Sequence, residues 1–277
     1  MRPSEILRRA EDYLAHHGVE SARENAETLL MSVLGVDRVS LYSRTTPLAV
    51  VEARSFGRAL CQRAKGIPLQ HLTGEQEFRH LMLEVHPGVF IPRPETEVLV
   101  DRALELLADS SSIPVVVDVG TGTGAIALSI KKERPDAKVV ATDVSGEAVW
   151  LAGRNAARLS LDLEVHEGDL LSAVPHELKG RVDLVVSNPP YVTREEYDEL
   201  PDEVRADPKS ALVGGTLFHR ALVEQAPRWL RHGGWLLVEI GDRQADEVAG
   251  LFAEHFAEVH VSRDLADRDR LVSGYHA

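Results

Sequence analysis

The residues with the clearest capacity for chemistry are Asn188-Pro189-Pro190-Tyr191, at the end of an apolar run. Residues 182–186 predict a buried strand, and the two prolines end it because they cannot donate a backbone hydrogen bond. Nearby carbonyl oxygens are then free to accept hydrogen bonds, the Asn188 side chain adds an amide oxygen, and Tyr191 adds a flat ring. Such a pocket suits a planar substrate group that carries an NH2. Taken alone, the stretch is equally consistent with a strand that simply ends in a turn.

A glycine-rich loop provides a second candidate site. It lies between a predicted strand at 115–119 and a predicted helix at 124–134. Glycines let a backbone turn sharply and approach a ligand, and a helix N-terminus offers free N–H groups to an anion. Asp143 follows at the end of the next predicted strand, where a carboxylate can bind both ribose hydroxyls. These features predict a nucleoside-cofactor site formed by Gly120, Thr121, Gly122, Thr123, Gly124 and Asp143.

Two cofactors fit this loop. Its spacing, Gly120-x-Gly122-x-x-Ala125, comes close to the dinucleotide fingerprint and keeps NAD as an alternative. Asp118 and the close alternation of glycines favour the amino-acid end of S-adenosylmethionine. Asp169-Leu170, after the third predicted strand, places a carboxylate and a backbone N–H where they can hold adenine. We therefore expect S-adenosylmethionine, with Asn188 bordering both cofactor and substrate.

The elements that position these residues alternate between strand and helix from Pro114 onward, which predicts a mostly parallel sheet with helices on both faces. Ligands of such sheets bind at the carboxyl ends of the strands, so the glycine loop, Asp143, Asp169 and Asn188 should be neighbours. The predicted strands are 115–119, 138–142, 163–166, 182–186 and 235–240; the helices are 124–134, 146–159, about 217–231 and 243–254; closing strands are 257–261 and 270–273. A short connection is predicted at 109–112, and a long, weakly ordered segment at 193–209.

Residues 1–73 read as a separate helical domain with no visible chemistry. Four helices are predicted. Ser4 caps the first, and the second begins at a capping box of Ser21 and Glu24 and ends at Gly35. The third is a short helix at Val39–Tyr42, and the fourth begins at Thr46-Pro47 and ends at Gly66. Cys61, in the fourth helix, is expected to be a core thiol.

Residues 74–92 predict a β-hairpin linker whose turn lies at 86–88, and residues 93–277 form the main domain. Between the hairpin and the sheet, the spacing of Glu95, Thr96 and Glu97 favours a role in capping the helix that follows. Thr96 is then the N-cap, and Glu95 and Glu97 lie near the positive end of that helix.

Composition and charge narrow the possible functions. Residues 93–277 hold 20 Lys and Arg against 33 Asp and Glu, while residues 1–92 hold 11 of each. An acidic main domain repels a phosphate backbone, which argues against nonspecific nucleic-acid binding. The single cysteine excludes an internal disulfide and fits a reducing cytoplasm, and the histidines show no metal-ligand spacing. No secretory signal is visible, and no apolar run approaches the roughly 20 residues of a membrane span.

Together these motifs resemble those of class I methyltransferases that act on planar nitrogens, and within them the release-factor glutamine N5-methyltransferases (HemK/PrmC family). The marks of that branch are Arg63-x-x-Gly66-x-Pro68, Leu72-Thr73-Gly74 with Phe78, Ile91-Pro92-Arg93-Pro94-Glu95-Thr96-Glu97, Glu239-Ile240-Gly241 with Gln244, and Asp264-Leu265 with Asp269-Arg270. The chain departs from the family pattern at Asp207-Pro208 and in the shortened loop at 214–217.

The resemblance implies a Rossmann-like α/β methyltransferase domain with a closing antiparallel strand, a small N-terminal helical domain and a hairpin between them. It implies a cytoplasmic enzyme whose substrate is the glutamine of the Gly-Gly-Gln loop of class I peptide-chain release factors, gripped by the helical domain and hairpin. It also moves Arg93 and Glu95 from capping to the wall of the active site. We expect a monomer that binds neither membrane nor, stably, nucleic acid.

In the mechanism we hypothesise, the Asn188 side-chain oxygen and the Pro189 carbonyl each accept one N–H of the substrate amide, and Tyr191 stacks on its plane. Asn188, Pro189 and Tyr191 are then the catalytic residues, and Pro190, Arg93 and Glu95 complete the substrate site. The alternative is an amino-methyltransferase acting on a flipped nucleic-acid base, which would use the same pocket.

Overall fold

The computed structural model describes residues 3–108 and 113–277, so the connection predicted at 109–112 lies outside the described residues. The chain forms two compact units. The first comprises the residues up to Glu75 together with Pro201–Ala206, and the second comprises the rest of the chain. Among the described residues, no helix is both long enough and apolar enough to cross a membrane.

The first unit is built from helices α1 (Pro3–His16), α2 (Ala22–Leu34), α3 (Arg38–Ser43), α4 (Val50–Arg63), α5 (Leu69–Thr73) and α10 (Asp202–Arg205). Apolar residues at helical spacing form its core, because only one face of each short helix needs to be buried. The core residues are Leu7, Ala10, Leu14, Ala26, Leu29, Leu30, Leu41 and Phe56.

A buried arginine connects distant parts of this unit. Arg63, at the end of α4, donates from Nε to the side-chain oxygen of Asn25 in α2 at 2.7 Å. Its Nη1 donates to the Ile67 carbonyl oxygen at 3.2 Å, and its Nη2 pairs with Glu203 at 2.7 Å. These bonds satisfy the guanidinium in an environment where its side chain is only 9% exposed.

Several sequence predictions for the first unit are wrong. Ser21 adopts a left-handed conformation and makes no capping hydrogen bond, and Ser4 lies inside α1. The fourth helix starts at Val50 rather than Thr46, because Glu52 accepts the backbone N–H of Ala49 at 2.7 Å.

Two further predictions fail in this unit and one is confirmed. The fifth helix, α5, was not expected, since five residues are too few to show a period. Cys61 is exposed instead of lying in the core. Gly35 ends α2 as predicted, in the left-handed conformation and with its N–H on the carbonyls of Met31 and Ser32.

The second unit begins at Gln76, within a hairpin of β1 (Glu75–Phe78) and β2 (Leu81–Glu84). The predicted hairpin is present, but its two strands are joined at Arg79-His80. The turn predicted at 86–88 also forms, with the Val89 N–H donating to the His86 carbonyl at 3.1 Å, but it follows the hairpin. Within the hairpin turn, Arg79 has a φ of 50°, and its guanidinium is held by Glu133 and Asp101. These charges stabilise a turn that contains no glycine.

A seven-stranded sheet follows, and it confirms the predicted α/β class. Its strands are β3 (Val115–Val119), β4 (Lys138–Asp143), β5 (Glu164–Glu167), β6 (Val182–Ser187), β7 (Leu230–Glu239), β8 (Glu258–Arg263) and β9 (Asp269–Tyr275), in the order β5-β4-β3-β6-β7-β9-β8. The strands from β3 to β7 are mutually parallel, and β9 runs antiparallel to β7 and β8.

Helices cover both faces of this sheet, because alternate residues of each buried strand point to opposite faces. Val116, Leu184 and Leu237 pack in one core with α6 (Glu97–Leu106) and α7 (Ala125–Glu133). Val117, Val185 and Leu236 pack in the other, with α12 (Leu217–Gln225) and α13 (Ala245–Ala253). Helix α8 (Gly146–Leu159) has the predicted bounds.

The segment 193–209 is more ordered than expected. It contains α9 (Arg194–Glu199) and α10, and α11 (Lys209–Leu212) follows directly. Thr193 and Glu196 form a capping box at the start of α9, which gives this six-residue helix a defined N-terminus.

Candidate active site

The ends of the parallel strands meet along one side of the sheet, which we call the carboxyl edge: the C-terminal ends of β3, β4, β6 and β7. In register, Val119 pairs with Ser187, and Ser187 pairs with Val238. The Ser187 hydroxyl also donates to the Val119 carbonyl at 2.7 Å. The glycine loop, Asp143, Asn188 and Glu239 therefore all follow strand ends at this edge.

The glycine loop turns sharply before α7. Gly120, Gly122 and Gly124 have φ values of 73°, 56° and 84°. Residues other than glycine seldom adopt this backbone conformation. Asp118 braces the loop, because its Oδ2 accepts the Thr121 hydroxyl at 2.6 Å and the Ala127 N–H at 3.2 Å.

Asp118 is fully buried, and no described residue donates to its Oδ1. Burial raises the pKa of Asp118 to about 7, although the bonds from Thr121 and Ala127 favour its charged form. An unpartnered acceptor beside this loop suits a ligand amine.

Asp143 ends β4 beside the loop. Its Oδ2 accepts the Gly122 N–H and its Oδ1 accepts the Ser145 N–H, both at 2.9 Å. Each oxygen keeps a further lone pair, so the carboxylate can still accept two hydroxyl groups. Burial raises its pKa, and those backbone N–H groups partly oppose the shift.

Asp169 and Leu170 follow β5 on the other side of Asp143. The Asp169 side chain is exposed, and Leu170 has a φ of 48°, unusual for a branched residue. The Thr142 hydroxyl fixes this turn by donating to the Leu170 carbonyl at 3.1 Å. The loop, Asp118, Asp143 and this turn thus offer separate donors and acceptors that fit the two ends of S-adenosylmethionine.

Asn188 follows the last residue of β6 and is partly buried. Its Nδ2 donates to the Thr96 hydroxyl oxygen at 3.0 Å, which turns its Oδ1 away from Thr96. Within residues 3–108 and 113–277, no hydrogen bond reaches Asn188 Oδ1 or the Pro189 carbonyl oxygen. The two oxygens expected to accept the substrate amide are therefore free.

Tyr191 is fixed at both ends. Its carbonyl accepts Gln244 Nε2 at 2.8 Å, and its hydroxyl donates to Glu239 Oε1 at 3.3 Å. Burial raises the pKa of the Tyr191 hydroxyl, and the charge of Glu239 raises it further, so the phenol stays protonated.

The loop at 212–215 packs on the backbone that follows Asn188. Gly214 and Gly215 both donate to the Val192 carbonyl, at 3.0 and 3.2 Å. A methyl group at Gly214 would lie 2.2 Å from the Pro190 carbonyl oxygen, so only glycine allows this close approach.

Arg93 and Glu95 occupy different environments. Arg93 forms an ion pair with Asp207, a carboxylate that is almost completely buried and also accepts the Ile91 N–H at 3.2 Å. Burial raises the pKa of Asp207, and the positive charge of Arg93 opposes that shift. Glu95 is exposed.

Thr96 occupies the N-cap position of α6, as predicted, but its side chain makes no capping hydrogen bond. Thr96 also closes a 3-10 turn, Pro94–Thr96. It is 3% exposed, and its hydroxyl oxygen accepts from Asn188.

The sequence did not predict a role at the site for three residues that shape it: Thr96 as the partner of Asn188, Asp207 as the partner of Arg93, and Glu239. Thr96 and Asn188 are 92 residues apart, and no local pattern reports such a contact. Glu239 did carry a signal, because an acid that closes an otherwise apolar strand at a carboxyl edge is unusual.

Comparisons with known proteins agree with this arrangement. The family model for the methyltransferase small domain matches residues 81–266, and that for the PrmC N-terminal domain matches residues 5–74. The release factor glutamine methyltransferase of Geobacter sulfurreducens is 41% identical over 95% of this chain and 92% of its own. The release factor glutamine methyltransferase of Deinococcus radiodurans is 40% identical over 100% of this chain and 99% of its own. A solved methyltransferase from Pyrococcus furiosus shares the fold, with a TM-score of 0.52 and 20% identity over 71% of this chain and 89% of that one.

The sheet order, the glycine loop and the match to the methyltransferase small domain define a Rossmann-like methyltransferase. The relatives above cover nearly the full length of the chain at about 40% identity. The chain belongs to the release factor glutamine methyltransferase family.

Proposed function

We propose that this enzyme transfers a methyl group from S-adenosylmethionine to the side-chain amide nitrogen of the glutamine in the Gly-Gly-Gln motif of class I peptide-chain release factors. The observation that carries the proposal is the pair of free acceptors, Asn188 Oδ1 and the Pro189 carbonyl oxygen, beside the glycine loop at the carboxyl edge. A primary amide has two N–H bonds for these two acceptors.

The acceptors address the main chemical difficulty, which is the low nucleophilicity of an amide nitrogen whose lone pair is delocalised into its carbonyl group. Asn188 and Pro189 each accept one amide N–H, hold the nitrogen in a single orientation and favour the less delocalised form. Orientation of this kind is worth roughly 7–11 kcal/mol in well-aligned reactions. Tyr191 stacks on the amide plane and keeps water away from it.

S-adenosylmethionine supplies an electrophilic methyl group on its sulfonium sulfur. The residues that hold it are Gly120, Thr121, Gly122, Thr123 and Gly124 in the loop, Asp143 at the ribose, Asp169 and Leu170 at the adenine, and Asn188 at the border with the substrate. The extra proton of the methylated nitrogen leaves after transfer, so no general base acts before it.

Pro190, Arg93 and Glu95 complete the substrate site in this proposal. The ion pair of Arg93 with buried Asp207 keeps that arginine in place, while exposed Glu95 is available to the incoming protein. The substitution of Asp for Glu before Pro208, one of the departures from the family pattern, therefore preserves the carboxylate that holds Arg93.

The domain division forms part of the same proposal. Residues 1–73 dock the release factor, and residues 74–92 link this domain to the next. Residues 93–277 bind the cofactor and catalyse the methyl transfer. The first unit exposes large apolar side chains at Val39, Tyr42, Val50 and Val51, which suits contact with a protein. The enzyme acts as a monomer in the cytoplasm, a compartment compatible with its free, exposed Cys61.

The test is incubation of the enzyme with a release factor and S-adenosylmethionine, followed by peptide mass spectrometry. The expected result is one added CH2 on the glutamine of the Gly-Gly-Gln motif. A release factor with that glutamine replaced by alanine should remain unmodified. Methyl transfer to duplex or single-stranded DNA or to RNA, with none to the release factor, would instead establish the base-directed alternative.

A further inference from the structure

Glu239 is a buried acid that the proposed reaction does not use. It ends β7 at the carboxyl edge and is 2% exposed. Its Oε1 accepts the Tyr191 hydroxyl at 3.3 Å, and the Thr96 side chain favours the charged form of the same carboxyl group. No described residue donates to its Oε2. A buried carboxyl group with an unsatisfied oxygen is costly, so its presence next to two active-site residues needs a reason.

The hydrogen bonds around Thr96 have a direction. A threonine hydroxyl has one hydrogen to donate and lone pairs with which to accept. If that hydrogen is given to Glu239, the oxygen of Thr96 can only accept from Asn188. Asn188 must then present its NH2 to Thr96, as it does at 3.0 Å, and its Oδ1 to the other side.

We propose that Glu239 is a positioning residue: as a carboxylate it takes the Thr96 hydrogen, and through Thr96 it keeps the Asn188 oxygen turned toward the substrate amide. This inference deepens the proposed function and rests on it for the role of Asn188. The reversed network, in which Thr96 donates to Asn188, would present an NH2 group to the substrate NH2 and repel it.

The surroundings of Glu239 determine when it can act in this way. Facing it are Tyr191 from the loop after β6, Arg270 from β9 and Glu95 from the segment before α6. His219, from α12, donates from Nε2 to the main-chain carbonyl of Glu239 at 2.8 Å, and burial lowers the pKa of its ring.

Burial raises the pKa of Glu239 to about 7, while Thr96, Arg270 and Tyr191 favour its charged form. Protonated Glu239 can itself donate to the Thr96 oxygen. The Thr96 hydrogen is then free to be donated to Asn188, which is the reversed network. The orientation of the Asn188 amide should therefore depend on pH near neutrality.

The kinetic test compares Glu239→Gln, Thr96→Val and Thr96→Ser with the wild-type enzyme. We expect the Gln and Val variants to lose kcat by roughly 10- to 100-fold with little change in the KM for release factor, because a misdirected amide binds but does not orient the substrate. Thr96→Ser should recover most of the kcat lost in Thr96→Val. The double variant Glu239→Gln with Thr96→Val should be no slower than the slower single variant.

The dependence of kcat on pH separates positioning from a merely structural role. The wild-type enzyme should lose activity as pH falls through about 7, and the part of this loss due to Glu239 should be absent in Glu239→Gln. Because Asp118 also has a pKa of about 7, the pH profile of the wild-type enzyme alone does not identify Glu239. The kcat of Glu239→Gln is therefore compared with that of the wild-type enzyme at each pH. Wild-type kcat in Thr96→Val, or an unchanged pH profile in Glu239→Gln, would overturn the proposal.

A second readout needs no substrate or cofactor. The side-chain NH2 signal of Asn188 in nitrogen-15 NMR can be assigned by its loss in Asn188→Ala. In the wild-type protein it should shift as pH crosses about 7, and in Glu239→Gln this shift should be lost. An Asn188 signal insensitive to pH would refute the positioning role, whereas a titrating signal in an enzyme that does not methylate release factor would refute only the proposed function.

Discussion

At the scale of single residues, Asn188 can be tested without disturbing its neighbours. Among the residues that the structure describes, its side chain makes one hydrogen bond, from Nδ2 to Thr96, and its Oδ1 has no partner. Asn188→Ala should lower kcat about 100- to 1,000-fold, the usual effect of removing one preorganised hydrogen-bonding group. Affinity for S-adenosylhomocysteine, measured by calorimetry, should stay within about threefold, because the loop and Asp143 are intact. A variant with near-normal kcat would show that the acceptor mechanism is wrong.

Glu239 should also affect how stability depends on pH. Its pKa is raised from 4.5 to about 7 in the folded protein, so the folded state binds its proton more tightly than the unfolded chain does. The free energy of unfolding must therefore fall as pH rises between these values, by roughly 3 kcal/mol for this group.

Glu239→Gln removes that slope. In urea unfolding at several pH values, its stability relative to the wild-type protein should increase from about pH 4.5 to 7. The exposed Glu254→Gln serves as the matched control and should show no such trend. A constant difference between Glu239→Gln and wild type across this range would contradict the prediction.

The sequence was informative about residues that follow strands. Asp143 and Asn188 each follow an apolar run, so the rule that parallel strands end at one edge was enough to bring them together. It was not informative about Thr96, Asp207 and Glu239, whose roles depend on hydrogen bonds to residues between 48 and 116 positions away in the chain.

At the scale of elements, the loop at 212–215 controls the position of the Asn-Pro-Pro-Tyr backbone. Gly214→Ala would place a methyl group 2.2 Å from the Pro190 carbonyl oxygen, so one of the two backbones must move. We expect a loss of roughly 1–3 kcal/mol in the free energy of unfolding and a clear fall in kcat.

Gly153→Ala is the control for this variant. Gly153 lies in α8 with no atom near its missing side chain, so alanine should be neutral or stabilise the helix by up to about 1 kcal/mol. Chemical denaturation and steady-state kinetics of both variants test the prediction. Unchanged kcat in Gly214→Ala would show that the loop does not position the motif.

The predicted elements succeeded where a segment was long and regularly patterned. Except for β7, the strands of the sheet and α8 were located to within a few residues because each carries a continuous apolar run or a helical period. Strand β7 begins at Leu230 rather than 235, where the sequence predicted the end of the preceding helix. Helices α5, α9, α10 and α11 have four to six residues each, too few for a period. The hairpin turn was misplaced because Arg79 adopts a left-handed conformation through its ion pairs rather than through a glycine.

At the scale of the whole molecule, the docking role proposed for the first unit predicts an effect on substrate affinity alone. Val50→Asp with Val51→Asp changes two side chains that are 70% and 68% exposed at the start of α4, where negative charge suits the helix dipole. The fold should persist, and the KM for intact release factor should rise about tenfold.

Leu265→Asp is the matched control, since Leu265 is completely exposed in the second unit, in the turn between β8 and β9. In steady-state kinetics, the KM of Leu265→Asp for intact release factor should equal that of the wild-type enzyme. The affinity of both variants for S-adenosylhomocysteine should also equal that of the wild-type enzyme. An equal rise of KM in both variants would indicate a general effect of charge and would count against docking by the first unit.

The ion pair between Arg63 and Glu203 has a consequence for how the protein is made. The two residues are separated by 140 positions, and Pro201–Ala206 belongs to the same compact unit as the N-terminal helices. During synthesis, helices α1 to α5 leave the ribosome well before that segment, and they must wait for it before their buried arginine is fully paired. The first unit is therefore completed only after strands β3 to β6 have already emerged.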